Sequence, residues 1–86
     1  MSWKQISFAL KSKKRKNLLL SLKTPKTPTQ LSKILKTSLP NISMKLKDLR
    51  NMGIVECITP DERKGRIYRL TKDGLEIIKK IEEMEN

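Results

Sequence analysis

The feature that most constrains this chain is where its helices must break. Between residues 23 and 53 the sequence is interrupted three times. Lys23-Thr24-Pro25-Lys26-Thr27-Pro28 carries two prolines, Lys36-Thr37-Ser38 parts two apolar-periodic segments by only three residues, and Gly53 closes the second segment. Thr27 is suited to cap a helix that begins at Pro28: its hydroxyl accepts a free first-turn N–H, and proline has no N–H to leave unsatisfied. The spacing predicts a helix over 28–36 that buries Leu31, Ile34 and Leu35. Ser38 is expected to cap the next helix, 39–52, in which Ile42, Leu46 and Leu49 fall four and three apart and form one buried stripe. Gly53 then ends that helix in the left-handed conformation. Two short helices joined by three residues make a helix-turn-helix unit over 28–52.

The flanks extend the pattern. Trp3, Ile6 and Leu10 mark one face of an N-terminal helix over 1–11. Ser12 is placed to cap a second helix that buries Leu18, Leu19 and Leu22, with Leu20 on its flank. Its first turn is Lys13-Lys14-Arg15-Lys16, and four cations there oppose the helix dipole. That turn is either plainly solvated or close to an anion. After Gly53, Ile54-Val55-Glu56-Cys57-Ile58-Thr59 is rich in β-branched residues and reads as a strand. Pro60 to Gly65 is a polar turn, and Arg66-Ile67-Tyr68-Arg69-Leu70 alternates as the returning strand, so 54–71 is a β-hairpin. Thr71 caps a last helix over 72–84, in which Leu75, Ile78 and Ile81 face one way and Ile77 and Met84 broaden the stripe. The fold class expected is α+β, mostly α: a winged helix-turn-helix of four to five helices with a two-stranded wing. An 86-residue chain holds one small core, so 1–86 is read as a single domain.

Composition narrows the function. There are 20 Lys and Arg against 9 Asp and Glu, a net charge of +11. Thirteen of the basic groups lie in residues 1–50 beside a single acid, Asp48, whereas residues 51–86 hold seven bases and eight acids. Solubility does not call for such segregation. A polyanion is expected to meet the first half, nucleic acid before an anionic membrane surface. The chain has no His and one Cys, which excludes a zinc finger, His-based catalysis and an internal disulfide. Cys57, on the first wing strand, reads as a small hydrophobe before a redox switch or a thiol that cross-links a dimer. No cofactor, metal or membrane partner is expected, and no enzyme activity, since no catalytic constellation is present. With no apolar run near the ~20 residues of a membrane span and no signal-like start, the expected location is cytoplasmic and nucleoid-associated.

The stretch Leu31–Val55, LSKILKTSLPNISMKLKDLRNMGIV, resembles the helix-turn-helix of the multiple-antibiotic-resistance repressor (MarR) and arsenic-repressor (ArsR) families. Its matching skeleton is Leu31, Leu35, Ser38, Ile42, Ser43, Leu46, Leu49, Gly53 and Val55. Residues 61–74 look like the MarR wing, an acid and basic residues followed by Leu-Thr-x-x-Gly; the segment from Phe8 to Leu22 looks more like the first ArsR helix. The resemblance implies a transcriptional regulator whose partner is double-stranded DNA.

On that reading helix 39–52 enters the major groove, which is wide enough to admit it. The face opposite Ile42, Leu46 and Leu49 offers Pro40, Asn41, Ser43, Met44, Lys45, Lys47 and Asn51, with Ser38 at its start. Asn41 is a base reader, since an amide pairs bidentately with adenine, or a plain first-turn residue. Ser43 bonds a phosphate or base edge, or is simply exposed. Lys45 and Lys47 reach phosphates. Met44 departs from the families; it touches a thymine methyl, signals weak sequence preference, or contacts another protein. The wing tip, 60–66, sets Arg63, Lys64 and Arg66 at the minor groove, with Asp61 or Glu62 bracing an arginine by resemblance. Lys13, Lys14 and Arg15 add phosphate contacts. Trp3, Ile6, Leu10, Leu75, Ile78 and Ile81 are expected to pack across a two-fold axis in a homodimer. The alternatives are a nucleoid-type DNA-binding protein of weak sequence preference and a winged-helix protein or RNA interaction module.

Overall fold

A computed structural model describes residues 2–63 and 65–85. The element order is α1 (Trp3–Leu10), α2 (Lys13–Ser21), α3 (Pro28–Leu35), α4 (Leu39–Asn51), β1 (Val55–Cys57), β2 (Tyr68–Leu70) and α5 (Lys72–Glu85). This is the winged helix-turn-helix that the breaks dictate.

Local chemistry explains the helix starts. The Ser2 hydroxyl accepts from the Gln5 N–H while the Gln5 side chain accepts from the Ser2 N–H, a capping box. Thr27 and Gln30 form a second box ahead of Pro28, and Ser12 caps α2 through the Arg15 N–H. Ser38 precedes α4, but its hydroxyl makes no capping bond; only its carbonyl enters the helix, accepting from the Ile42 N–H. The turn between α3 and α4 instead rests on Lys36, which takes a left-handed φ of 51°. The Ser32 hydroxyl donates to the Thr37 carbonyl at 2.6 Å and holds that turn shut. Gly53 has φ 74° just past α4, as a left-handed stop requires.

The core is aliphatic. Leu18, Leu19 and Leu22 of α2, Leu31 of α3, and Ile42, Leu46 and Leu49 of α4 are buried together with Ile54, Val55, Tyr68, Leu70 and three isoleucines of α5. One burial assignment is corrected. Ile34 is 53% exposed: in an eight-residue helix only Leu31 and Leu35, one turn apart, reach the core, and Ile34 falls beside them on the outer flank. In α5 the buried positions are Ile77, Ile78 and Ile81, while Leu75 is 56% and Met84 67% exposed. The helix is rotated toward Ile77 because Gly74 is buried against the strand base, where an added Cβ would collide with the Ile54 carbonyl. In α1 the fully buried residue is Ala9; Trp3 is exposed and Ile6 and Leu10 are half-buried.

β1 and β2 pair antiparallel in the register Val55↔Leu70, Glu56↔Arg69, Cys57↔Tyr68. Beyond them, Ile58 N–H donates to the Ile67 carbonyl at 2.8 Å and carries the ladder toward the tip. The proline-containing break before α3 is more than a linker. Lys26 pairs with the other edge of Tyr68 through two backbone hydrogen bonds of 3.1 and 2.9 Å, tying the wing to the helical body.

Candidate nucleic-acid interface

Helix α4 buries one stripe and leaves the opposite face open. Pro40, Asn41, Ser43, Met44 and Lys47 are exposed, Lys45 is half-buried, and Ser38 lies exposed at the start. The side chains expected to meet DNA on α4 are therefore all on the accessible side.

Two grooves border that face. One, of about 500 Å³, is lined by Thr27, Pro28 and Thr29 at the start of α3, by Leu39 and Ser43 of α4, and by Arg63, Gly65, Arg66 and Tyr68 of the wing. It brings the recognition helix, the first turn of α3 and two wing arginines to one concavity. The Lys26–Tyr68 bridge is what sets this spacing, because it fixes the base of the wing beside the cap of α3. The other groove, about 230 Å³, is lined by Lys14, Asn17, Leu35, Thr37, Ile42 and Lys45. It joins the cationic first turn of α2 to the turn of the helix-turn-helix motif, two regions far apart in sequence.

The cations of that first turn divide by role. Lys13 and Lys14 are exposed. Arg15, grouped with them as a phosphate contact, turns inward instead. Its guanidinium lies 3.9 Å from the Phe8 ring centroid and donates to the Phe8 carbonyl at 3.1 Å. It clamps α1 to α2 through a cation–π contact and a hydrogen bond. In the wing, Arg63 is exposed, and Arg66 donates from Nε to the Glu62 carbonyl at 2.7 Å. The brace expected from a carboxylate is thus supplied by backbone, and Gly65, with φ 69°, makes the turn that permits it. Lys64 lies outside the described residues. The Glu56–Arg69 pair, 2.6 Å, crosses the strands well below the tip.

Sequence reasoning missed Gln5. Its side-chain amide donates to the Met52 carbonyl at 2.8 Å and to the Asp73 carboxylate at 3.0 Å. One residue of α1 thus holds the end of the recognition helix and the first turn of α5; the partners are 47 and 68 residues away, and nothing in local sequence marks them. Of the six residues assigned to a dimer contact, Ile78 and Ile81 are corrected: they are 4% and 1% exposed within the chain's own core. Trp3 and Leu75 remain on the surface, at 80% and 56%. Among the described residues no group of His, Cys, Asp and Glu is arranged to hold a metal ion, and no helix is long and apolar enough to cross a membrane.

Five helices, a two-stranded wing and a cationic concavity beside an open recognition helix define a winged helix-turn-helix protein. The chain belongs to the arsR family of bacterial regulatory proteins, whose family model matches residues 12–56, from the cap of α2 into β1. Comparison of folds adds the wing and both end helices. The MarR family transcription regulator SP03579 superimposes with a TM-score of 0.77 at 27% identity, covering 95% of this chain and 56% of its own. The transcriptional regulator Tm0710 from Thermotoga maritima gives 0.76 at 22%, covering 92% and 61%. A MarR mutant from E. coli, complexed with operator DNA, gives 0.71 at 23%, covering 96% and 54%. The chain therefore spans little more than half the length of these structures. No curated protein matches it.

Proposed function

We propose that the chain is a double-stranded DNA-binding transcriptional regulator, with α4 in the major groove and the wing tip at the minor groove. The observation that carries this reading is the shared concavity of α3, α4 and the wing, which sets Ser43, Arg63 and Arg66 around one groove. A duplex needs such an arrangement: a helix narrow enough for the major groove, and cations spaced to the side where the backbone and the adjacent minor groove pass. The segregated charge of the first fifty residues supplies the long-range attraction. The operator complex of the E. coli relative supports the same use of the fold.

Lys45, Lys47 and Lys14 border the recognition face and serve as phosphate contacts, which fix register without reading sequence. We infer a homodimer, supported by the exposed Trp3 and Leu75, so that two recognition helices meet two half-sites.

The test is a titration of labelled random duplex at several salt concentrations, read by fluorescence anisotropy. A contact with ~6–8 phosphates gives a slope of about −5 to −7 in log K against log salt. Duplex affinity that is absent or independent of salt overturns the reading.

A further inference from the structure

The exposed face of α4 is not uniformly basic, and its pattern says which residues look at bases. At about 100° per residue, Met44 lies about 190° from the centre of the buried Ile42, Leu46, Leu49 stripe, the outermost point of the helix. One turn either side of it stand Pro40 and Asp48. This central row carries no cation. The cations sit on its edges, Lys45 on one side and Lys47 and Arg50 on the other. A helix lying in the major groove presents its outermost row to the base edges and its flanks to the phosphate walls.

Asp48 is the informative member. It is the single acid among the first fifty residues, it is exposed, and its carboxylate has no partner among the described residues. Near the C-terminal end of a helix it also opposes the helix dipole. A bare carboxylate in the middle of a polyanion-binding surface weakens every contact with DNA, unless it accepts a hydrogen bond from a base. Of the two amino donors in the major groove, cytosine N4 suits a carboxylate better than adenine N6, which stands beside the N7 acceptor. Met44, 65% exposed, has no hydrogen-bonding group suited to a base edge. Its match there is the thymine methyl.

We propose that Met44 and Asp48 are specificity-determining residues of α4, Met44 selecting a thymine through its methyl group and Asp48 a cytosine through its N4 amino group. The proposal rests on the reading of α4 as a major-groove helix. It assigns to this row a selectivity that Lys45 and Lys47, as phosphate contacts, do not supply.

The experiment is selection from a random duplex pool, followed by affinity measurement on the selected site. Replacing dT by dU, which deletes one methyl, is expected to raise the Kd of the wild type about fourfold at one position of each half-site. Met44→Ala binds the dT and dU forms equally. Asp48→Ala is expected to lose about tenfold on the selected site and to bind random duplex more tightly than the wild type does, because a repelling charge is gone. Those opposite signs are not produced by a merely structural role, since both side chains are exposed and a damaged fold lowers both affinities. A selected motif that is blind to dU and to Asp48→Ala overturns the proposal and leaves DNA binding standing. Retention without any motif likewise overturns it. No retention of duplex at all overturns the major-groove reading together with the proposal.

Discussion

Gly74 shows how one residue places a whole helix. It stands in the first turn of α5, where a Cβ would strike the Ile54 carbonyl oxygen and crowd the Leu70 side chain. The Thr71 hydroxyl accepts from the Gly74 N–H at 3.1 Å and itself donates toward the Gly53 and Ile54 carbonyls. Leu-Thr-x-x-Gly is therefore a joint: Thr71 satisfies the strand base and Gly74 lets the helix close on it. Gly74→Ala is expected to destabilise the fold by about 1–3 kcal/mol, the cost of overpacking a tight site, seen as a lower Tm in thermal unfolding; an unchanged Tm rejects the close approach. Gln5 is the complementary case, a polar side chain rather than a missing one. Gln5→Ala removes its hydrogen bonds to Met52 and Asp73. At about 1 kcal/mol net for each bond, it is expected to lower stability by about 1–2 kcal/mol.

Among the elements, the cationic turn of α2 gives the sharpest division of labour. Arg15→Ala is expected to cost about 1–2 kcal/mol of stability, because it removes the clamp on Phe8. Lys14→Ala leaves stability within about 0.5 kcal/mol and lowers the salt slope of DNA binding by about one unit. Unfolding curves and anisotropy titrations of the two variants separate the roles, and identical behaviour would refute the division. From sequence the four cations look alike, since a side chain turns inward only when another element offers it a partner. The same reason explains what was legible and what was not. Caps at Ser12 and Thr27 and the stop at Gly53 are local chemistry, and they appear where the residues predict. The tight turn was also foreseen, but not that Lys36 takes its left-handed conformation or that the Ser38 hydroxyl makes no capping bond. Ile34 was read as buried because periodicity reports a helix's apolar side, not how far that side is rotated against its neighbours. The Lys26–Tyr68 bridge joins residues 42 positions apart, through backbone atoms that every residue has. Of the proposed interface, the accessible face of α4 was readable from its buried stripe, whereas the groove shared by α3, α4 and the wing required the fold.

At the scale of the whole molecule, the uneven charge bears on how two copies could meet. Two bodies of +11 repel, and a contact through residues 11–50, which hold most of that charge, would both add to the repulsion and cover the surface proposed to meet DNA. A contact through the part of the second half away from the wing, a half that carries about one net negative charge, avoids both costs. α5 belongs to that half. Its outer surface sets exposed Leu75 beside Lys79, Glu82 and Glu83, an apolar residue among charges of both signs. Trp3 is exposed at the start of α1, which packs against α5. It is the only tryptophan, so its emission reports its own surroundings alone. If these surfaces form the two-fold contact, sedimentation at micromolar concentration gives about twice the 10.0 kDa chain mass. Trp3 emission then shifts to the red on dilution as the indole returns to water, and Leu75→Glu moves that transition to higher concentration by setting like charges against each other beside Glu82 and Glu83. A 10.0 kDa species with emission unchanged by concentration removes the dimer. Each chain would then place a single recognition helix on DNA, and the selected site would be one half-site with no palindrome.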